Sequence, residues 1–126
     1  MQRTILNILA IITGLLFINS GLAKFFNYMP PPTDLPEAAM RDMAAMTEIS
    51  WLMPLVAVAE IVGGLLLIFR KTRALGTLVL VPVSVGILLT HLTVMPPSGL
   101  IIAVVIWVIL LWIIYDNREK YLGLLR

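Results

Sequence analysis

A single carboxylate, Glu60, lies inside an apolar run, residues 51–69, that is long enough to cross a lipid bilayer. An ionisable side chain at that depth is costly, and it usually pairs with another polar group or serves a function. A buried carboxylate can pair with a cation, or it can bind and release a proton. We therefore take Glu60 as the centre of the candidate site.

Two other titratable side chains, on neighbouring helices, are expected in the same half of the protein as Glu60, with Lys24 several residues higher than the carboxylate. Either an extended Lys24 reaches Glu60 directly, or a water molecule, Asn19, Ser20 or His91 bridges the gap. Lys24 and His91 lie near the ends of apolar segments that run in the direction opposite to the segment of Glu60. Because helical side chains lean toward the N-terminus of their own helix, all three should converge on one half of the protein. The predicted buried polar cluster comprises Asn19, Ser20, Lys24, Glu60, Thr90 and His91.

The cluster has two interpretations. Its members either join helices to one another, as buried polar side chains do in many membrane proteins, or they bind a ligand or move protons. Gly63 and Gly64 follow Glu60 by one turn, and Gly21 lies beside Ser20. We expect these three glycines to serve helix packing, because glycine lets two helix backbones approach closely.

Methionine and histidine suggest a further hypothesis, a copper site. Thioethers and imidazole are suitable ligands for Cu(I), and the candidate ligands would be Met40, Met43, Met46, His91 and Met95. The simpler interpretation is that the methionines form an apolar helix face, because methionine fills irregular gaps readily. On that interpretation the chain has no intrinsic metal site.

The segments that must position these residues are membrane spans. The chain is 60% hydrophobic and only 13% charged, and its mean hydropathy is +1.02, which indicates lipid as the surrounding medium. We predict a single transmembrane domain over residues 1–126, an all-α four-helix bundle. Its helices should cover residues 5–26, 51–69, 75–94 and 99–115.

Charge predicts the orientation of these spans. Seven basic residues fall on one side of a four-span arrangement: Arg3, Arg70, Lys71, Arg73, Arg118, Lys120 and Arg126. The positive-inside rule then predicts that the N- and C-termini are cytoplasmic. In the outer loop between the first two spans, Asp34 and Pro36 resemble a helix start. We expect a short helix there, lying on the outer surface.

The first segment has an alternative interpretation as a cleaved signal peptide, because residues 21–23 resemble a cleavage site. We expect the segment to be retained as a span. The sequence contains no cysteine, so thiol redox chemistry and thiolate metal sites are excluded. Its net charge of +2 is too small and too scattered for nucleic-acid binding.

Two motifs resemble those of a known family. The first is the run N-S-G-L-A-K-F at residues 19–25, and the second is A-E-I-V-G-G at residues 59–64. Together with Arg73-Ala74-Leu75, they make the chain similar to the DoxX family of small four-helix membrane proteins. The resemblance implies a compact helical bundle with cytoplasmic termini. It carries the family motif to Ser20, Gly21, Lys24, Glu60, Gly63 and Gly64, but it implies no catalytic role for any of them.

Members of that family include subunits of membrane redox complexes and assembly factors. We therefore expect an accessory or assembly subunit of a membrane complex, in a bacterial cytoplasmic (inner) membrane, whose partners are lipid and other subunits or further copies of the chain. The alternative is an oxidoreductase component that binds a quinone or a similar small amphiphile in a pocket formed by Glu60, Lys24 and His91. We expect no intrinsic cofactor in the first case and a quinone in the second.

Overall fold

The fold is entirely helical in the part of the chain that the structure describes. This computed structural model describes residues 2–26, 35–93 and 99–125, and within these ranges it contains six helices and no strand. The helices are α1 (Gln2–Phe26), α2 (Glu37–Glu48), α3 (Leu52–Ile68), α4 (Arg73–Thr93), α5 (Leu100–Asp116) and α6 (Arg118–Leu124). The prediction of an all-α fold is therefore confirmed.

The four long helices agree with the predicted apolar segments to within a few residues. The short helix predicted for the loop after the first segment is also present, as α2, and it begins immediately after Pro36. Proline suits the first turn of a helix because it has no amide hydrogen to leave unpaired. Asp34, the residue predicted to begin this helix, lies outside the described residues, as does Met95.

The helices differ in their ability to cross a membrane. Residues 3–26 of α1 and the whole of α4 are long and apolar enough to do so alone. The helices α3 and α5 have 17 residues each. At about 1.5 Å per residue they rise about 25 Å, less than the roughly 30 Å of a hydrocarbon core. Each is bent from its neighbour, α3 from α2 by 91° and α5 from α6 by 69°. Length and composition thus give two spans, or up to four if each bent pair counts as one.

The core lies where α1, α3, α4 and α5 meet. Its buried side chains include Phe17 from α1, Leu67 from α3, Leu80 from α4 and Ile113 from α5. The helix α3 packs against both α1 and α4, and α5 packs against α4 and α1. The outward faces of these four helices are also apolar, with many exposed leucine, isoleucine and valine side chains. Such surfaces suit lipid.

Glycines let α1 and α3 approach until their backbones touch. A Cβ atom added to Gly14 would lie 2.5 Å from the carbonyl oxygen of Gly64, and one added to Gly64 would lie 2.5 Å from that of Gly14. Two turns away, a Cβ on Gly21 would lie 2.6 Å from the carbonyl oxygen of Ala57. Any larger residue at these positions would push the two helices apart.

A second close approach joins α3 to α4. A Cβ on Gly63 would lie 2.6 Å from Cγ of Leu80, and one on Gly76 would lie 2.8 Å from the carbonyl oxygen of Gly63. Because Gly63 and Gly64 are consecutive, they contact different helices, Gly63 facing α4 and Gly64 facing α1. The pair therefore fixes α3 between its two neighbours.

The guanidinium of Arg73 holds the turn between α3 and α4. It is buried, and its Nε donates to the carbonyl oxygen of Leu67 at 2.8 Å. Its Nη2 donates to the carbonyl oxygen of Ile68 at 3.1 Å and to Oδ1 of Asn7 at 2.9 Å. The last carbonyls of a helix have no partner within the helix, so Arg73 caps α3 and ties its end to α1.

We predict that Arg73→Lys destabilises the protein by about 2 kcal/mol, because an ammonium cannot reproduce the planar fork that serves three acceptors. The matched control is Arg70→Lys. Arg70 is exposed, and its hydrogen bond to Oδ1 of Asn7 is long, at 3.5 Å. Thermal unfolding in detergent micelles should show a lower midpoint for the Arg73 variant only. Equal midpoints for both variants would contradict the capping role.

Candidate functional site

Glu60 lies on the face of α3 that packs against α1. It is flanked by Ala57 one turn before and Gly64 one turn after, and these two residues contact Gly21 and Gly14 of α1. The small residues bring the helices together on both sides of the carboxylate, and its side chain is only 3% exposed. Glu60 is therefore enclosed by a close contact between α1 and α3, where water has little access.

The carboxylate is paired with a cation from α1. Nζ of Lys24 lies 2.6 Å from Oε1 of Glu60, and it also donates a hydrogen bond to Oγ of Ser20 at 2.9 Å. Lys24 is one turn beyond Ser20, so its side chain follows the helix back toward the N-terminus, as helical side chains do. The sequence left open an extended lysine or a bridge through another group, and the structure has the direct ion pair.

The contact is a close ion pair between a buried carboxylate and a partly exposed ammonium. Oε1 of Glu60 is buried and accepts no hydrogen bond of good geometry from the described residues, although the lysine nitrogen is adjacent. Opposite charges at this separation attract strongly where water is excluded. The exposure is unequal, because the Lys24 side chain is 24% exposed and that of Glu60 is 3% exposed. Without its partner, Lys24 could reach a polar surface, but Glu60 could not.

His91 and Thr90 bond within their own helix, α4. Nδ1 of the half-buried His91 lies 2.9 Å from the carbonyl oxygen of Ile87 and, as the carbonyl can only accept, carries the proton. The ring packs against Gly99 at the start of α5. Oγ1 of Thr90 donates to the carbonyl oxygen of Gly86 at 2.7 Å. Among the described residues neither side chain pairs with Glu60 or Lys24. The structure thus brings together Ser20, Lys24 and Glu60, while Asn19 lies exposed beside Ser20.

One buried polar residue near this site was not singled out from the sequence. Ser84 of α4 is 1% exposed, and its hydroxyl has no hydrogen-bond partner among the described residues. Gly63 of α3 faces Leu80 of the antiparallel helix α4. Glu60 lies about one turn before Gly63 and Ser84 about one turn after Leu80, so the two residues have a similar depth in the bundle. The indole of Trp107 in α5 donates to the backbone carbonyl of Ser84 at 3.0 Å. The sequence signal that could have identified Ser84 is its position as a lone hydroxyl residue within the apolar run of residues 78–89.

The methionines of the copper hypothesis that the structure describes lie on α2. Met40, Met43 and Met46 are each more than one third exposed there, whereas Ala39 of the same helix is buried. His91 belongs to α4 and bonds to its own backbone, and Met95 lies outside the described residues. Within the described ranges, no three histidine, aspartate or glutamate side chains are grouped as metal ligands would be. The copper site remains an untested prediction.

Comparison with known protein families gives a match over most of the chain. A family model described as DoxX matches residues 5–93, which is well over half of the chain. The matched range extends from the first turn of α1 to the end of α4, so it includes Ser20, Lys24, Glu60 and both glycines of α3. No curated protein and no solved structure shows significant similarity to the chain.

Proposed function

Because the chain belongs to the DoxX family, we propose that it is an accessory or assembly subunit of a membrane complex and performs no chemistry at Glu60. In this proposal α1, α3, α4 and α5 each cross the membrane, and both termini are cytoplasmic. The basic residues at the start of α1, between α3 and α4, and in α6 support this orientation through the positive-inside rule. The proposed location is the cytoplasmic membrane of a bacterium.

The observation that carries the proposal is the pairing of Glu60. A carboxylate that acts as an acid or base must reach the proton it transfers, directly or through one water molecule. Glu60 is instead enclosed between α1 and α3, and its charge is matched by Lys24 at 2.6 Å. This arrangement suits a fixed structural link between two helices, and it shields the Glu60 carboxylate from contact with a substrate.

The surface proposed to bind a partner is the methionine face of α2. This helix is bent by 91° from α3, and it exposes Met40, Met43 and Met46. Methionine side chains are flexible and polarisable, so they adapt to the surface of another protein. Because α2 precedes a membrane helix, the partner would be a membrane protein or a protein bound to the outward-facing surface of the cytoplasmic membrane.

We expect native mass spectrometry of the protein, extracted from its own membranes in mild detergent, to give one reproducible complex with another protein. Met43→Glu should abolish that complex, because it places a charge within the methionine face. Ala45→Glu is the matched control, since position 45 is exposed and lies about 200° around the helix from position 43. Wild-type protein that repeatedly carries no partner would contradict the proposal, and so would equal effects of the two variants.

A second candidate function has one observation in its favour. The hydroxyl of Ser84 is buried without a hydrogen-bond partner among the described residues, and it lies at a depth similar to that of Glu60 on the adjacent helix. A carbonyl oxygen of a quinone or similar amphiphile would accept a hydrogen bond from this hydroxyl. This candidate is an oxidoreductase component with a pocket near Glu60, Lys24 and His91. A small amphiphile retained in the same mass spectra and lost on Ser84→Ala would favour it.

A further inference from the structure

A second cluster of charged residues lies at the end of the bundle where α1 and α4 begin. A cleft of about 310 Å³ is lined by residues from the start of α1, the α3–α4 turn, the start of α4, and the end of α5 with α6. These lining residues are Arg3, Leu6, Arg70, Arg73, Asp116, Asn117 and Lys120. Alternating helix directions bring these segments, which are distant in sequence, to one end.

The positive charge of this cleft is not matched by the protein. Four cationic side chains line it, against one carboxylate, that of Asp116. Among the described residues the structure contains one ion pair, and that pair, Lys24 with Glu60, lies outside the cleft. The cleft therefore has an excess of positive charge and hydrogen-bond donors that point to an anionic ligand.

The four cations are not equivalent. Arg73 is buried, and its Nε and Nη2 donate hydrogen bonds to Leu67, Ile68 and Asn7. Its positive charge is therefore held at a fixed position beside the cleft. Arg70 and Lys120 are exposed, and the described hydrogen bonds give Lys120 no side-chain partner and Arg70 only the long contact with Asn7. Arg70 and Lys120 thus have donors available for a ligand, while Arg73 adds charge at a fixed position.

The position of the cleft indicates how such a ligand would arrive. The two helices that are long enough to cross a membrane alone, residues 3–26 of α1 and the whole of α4, both begin at residues that line the cleft, Arg3 and Arg73. Under the four-span topology proposed above, the cleft then lies at the level of the lipid headgroups on the cytoplasmic side. Basic pockets between membrane helices on that side are suited to acidic lipid headgroups.

We propose that this cleft binds a phosphate ester, presented by the headgroup of an acidic phospholipid. Arg70 and Lys120 contact the phosphate oxygens, and Arg73 holds the charge of the cleft in place while it caps α3. Asn117 and Asp116 line the same cleft and can accept hydrogen bonds from headgroup hydroxyls. The proposal rests on the four-span topology, but it does not require a partner subunit.

The test is a lipid titration of purified protein in detergent micelles, followed by native mass spectrometry. Phosphatidylglycerol should bind with a stoichiometry of one and survive activation that removes phosphatidylcholine with the same acyl chains. The double variant Arg70→Gln with Lys120→Gln should weaken phosphatidylglycerol binding about tenfold or more, because each removes a cation near the headgroup. The matched control, Lys71→Gln with Arg118→Gln, removes the same charge near the same end but outside this cleft, and should change binding less than about twofold.

Four results would overturn the proposal. Equal loss in the two double variants would mean that only the general positive charge of this end attracts acidic lipid. Binding of phosphatidylcholine as tight as that of phosphatidylglycerol would exclude recognition of headgroup charge. Displacement of the lipid by equal concentrations of inorganic phosphate or glycerol phosphate would identify a free anion as the ligand. If the protein inserts into phosphatidylcholine vesicles and shows no preference for the acidic lipid, the lipid site is contradicted. The proposed four-span topology is not affected by that result.

Discussion

Lys24→Met is expected to lower the free energy of unfolding by about 3 kcal/mol, because it leaves a buried carboxylate without its counter-charge. Glu60 is enclosed by the contact between α1 and α3, and its side chain is 3% exposed. Once unpaired, it holds an uncompensated charge where water has little access, and this makes the folded protein less stable.

The reverse variant, Glu60→Gln, should cost less, about 1 to 2 kcal/mol, because the remaining cation can move toward water. The Lys24 side chain is 24% exposed, and it keeps the hydroxyl of Ser20 as a partner. Lys71→Met removes an exposed lysine and should have almost no effect. Unfolding in mixed micelles of mild detergent and dodecyl sulfate would measure the loss of stability for each of the three variants. The same loss for all three variants would contradict the role of the ion pair.

Gly64→Ala is expected to destabilise the protein by about 3 kcal/mol, although it adds a single methyl group. The new Cβ would lie 2.5 Å from the carbonyl oxygen of Gly14 and 3.2 Å from the backbone nitrogen of Ile18. Because the backbone of α1 cannot move aside as a side chain can, the helices must separate. Separation would also lengthen the distance between Lys24 and Glu60, so the loss includes part of the ion pair.

Gly86→Ala provides the control for this variant. A Cβ on Gly86 of α4 would have no neighbour within 4 Å, so alanine should be neutral or stabilising by about 1 kcal/mol through its helix propensity. The midpoint of thermal unfolding should therefore fall for Gly64→Ala and should stay unchanged or rise for Gly86→Ala. A Gly64 variant as stable as the Gly86 variant would show that α1 and α3 do not touch at this point.

The helices could be predicted from the sequence because each apolar segment ends at an unambiguous signal. The basic turn after residue 69 separates α3 from α4, and Pro36 marks the start of α2. The sequence does not decide whether α3 and α5 cross a membrane alone. Their 17 residues are at the lower limit for a span, and only the structure gives the bends that join them to α2 and α6.

The relation of Lys24 to Glu60 was accessible from the direction in which helical side chains lean. The position of His91 was harder to infer, because the depth of a residue depends on the register between two helices. Ser84 shares the depth of Glu60, and His91 lies seven residues beyond it, a rise of about 10 Å. Its ring also bonds to the carbonyl of Ile87. His91 and Glu60 therefore lie in the same half of the protein, but the imidazole does not reach the carboxylate.

The contacts of Arg73 could not be predicted, because they depend on three segments distant in sequence. From the sequence, Arg73 was one of several basic residues that determine orientation. In the structure it bonds to two carbonyls of α3 and to Asn7 of α1. The basic cleft was missed for a similar reason. Its residues are separated by up to 117 positions, from Arg3 to Lys120, and only the packing of the helices brings them together.

The central claim is that Lys24 and Glu60 form a structural link between α1 and α3. The most direct test is a double-mutant cycle of unfolding free energies with Lys24→Met, Glu60→Gln and the double variant. We predict that the double variant is more stable than Lys24→Met alone and that the coupling energy is about 2 kcal/mol. Additive losses, with a coupling energy near zero, would contradict the claim.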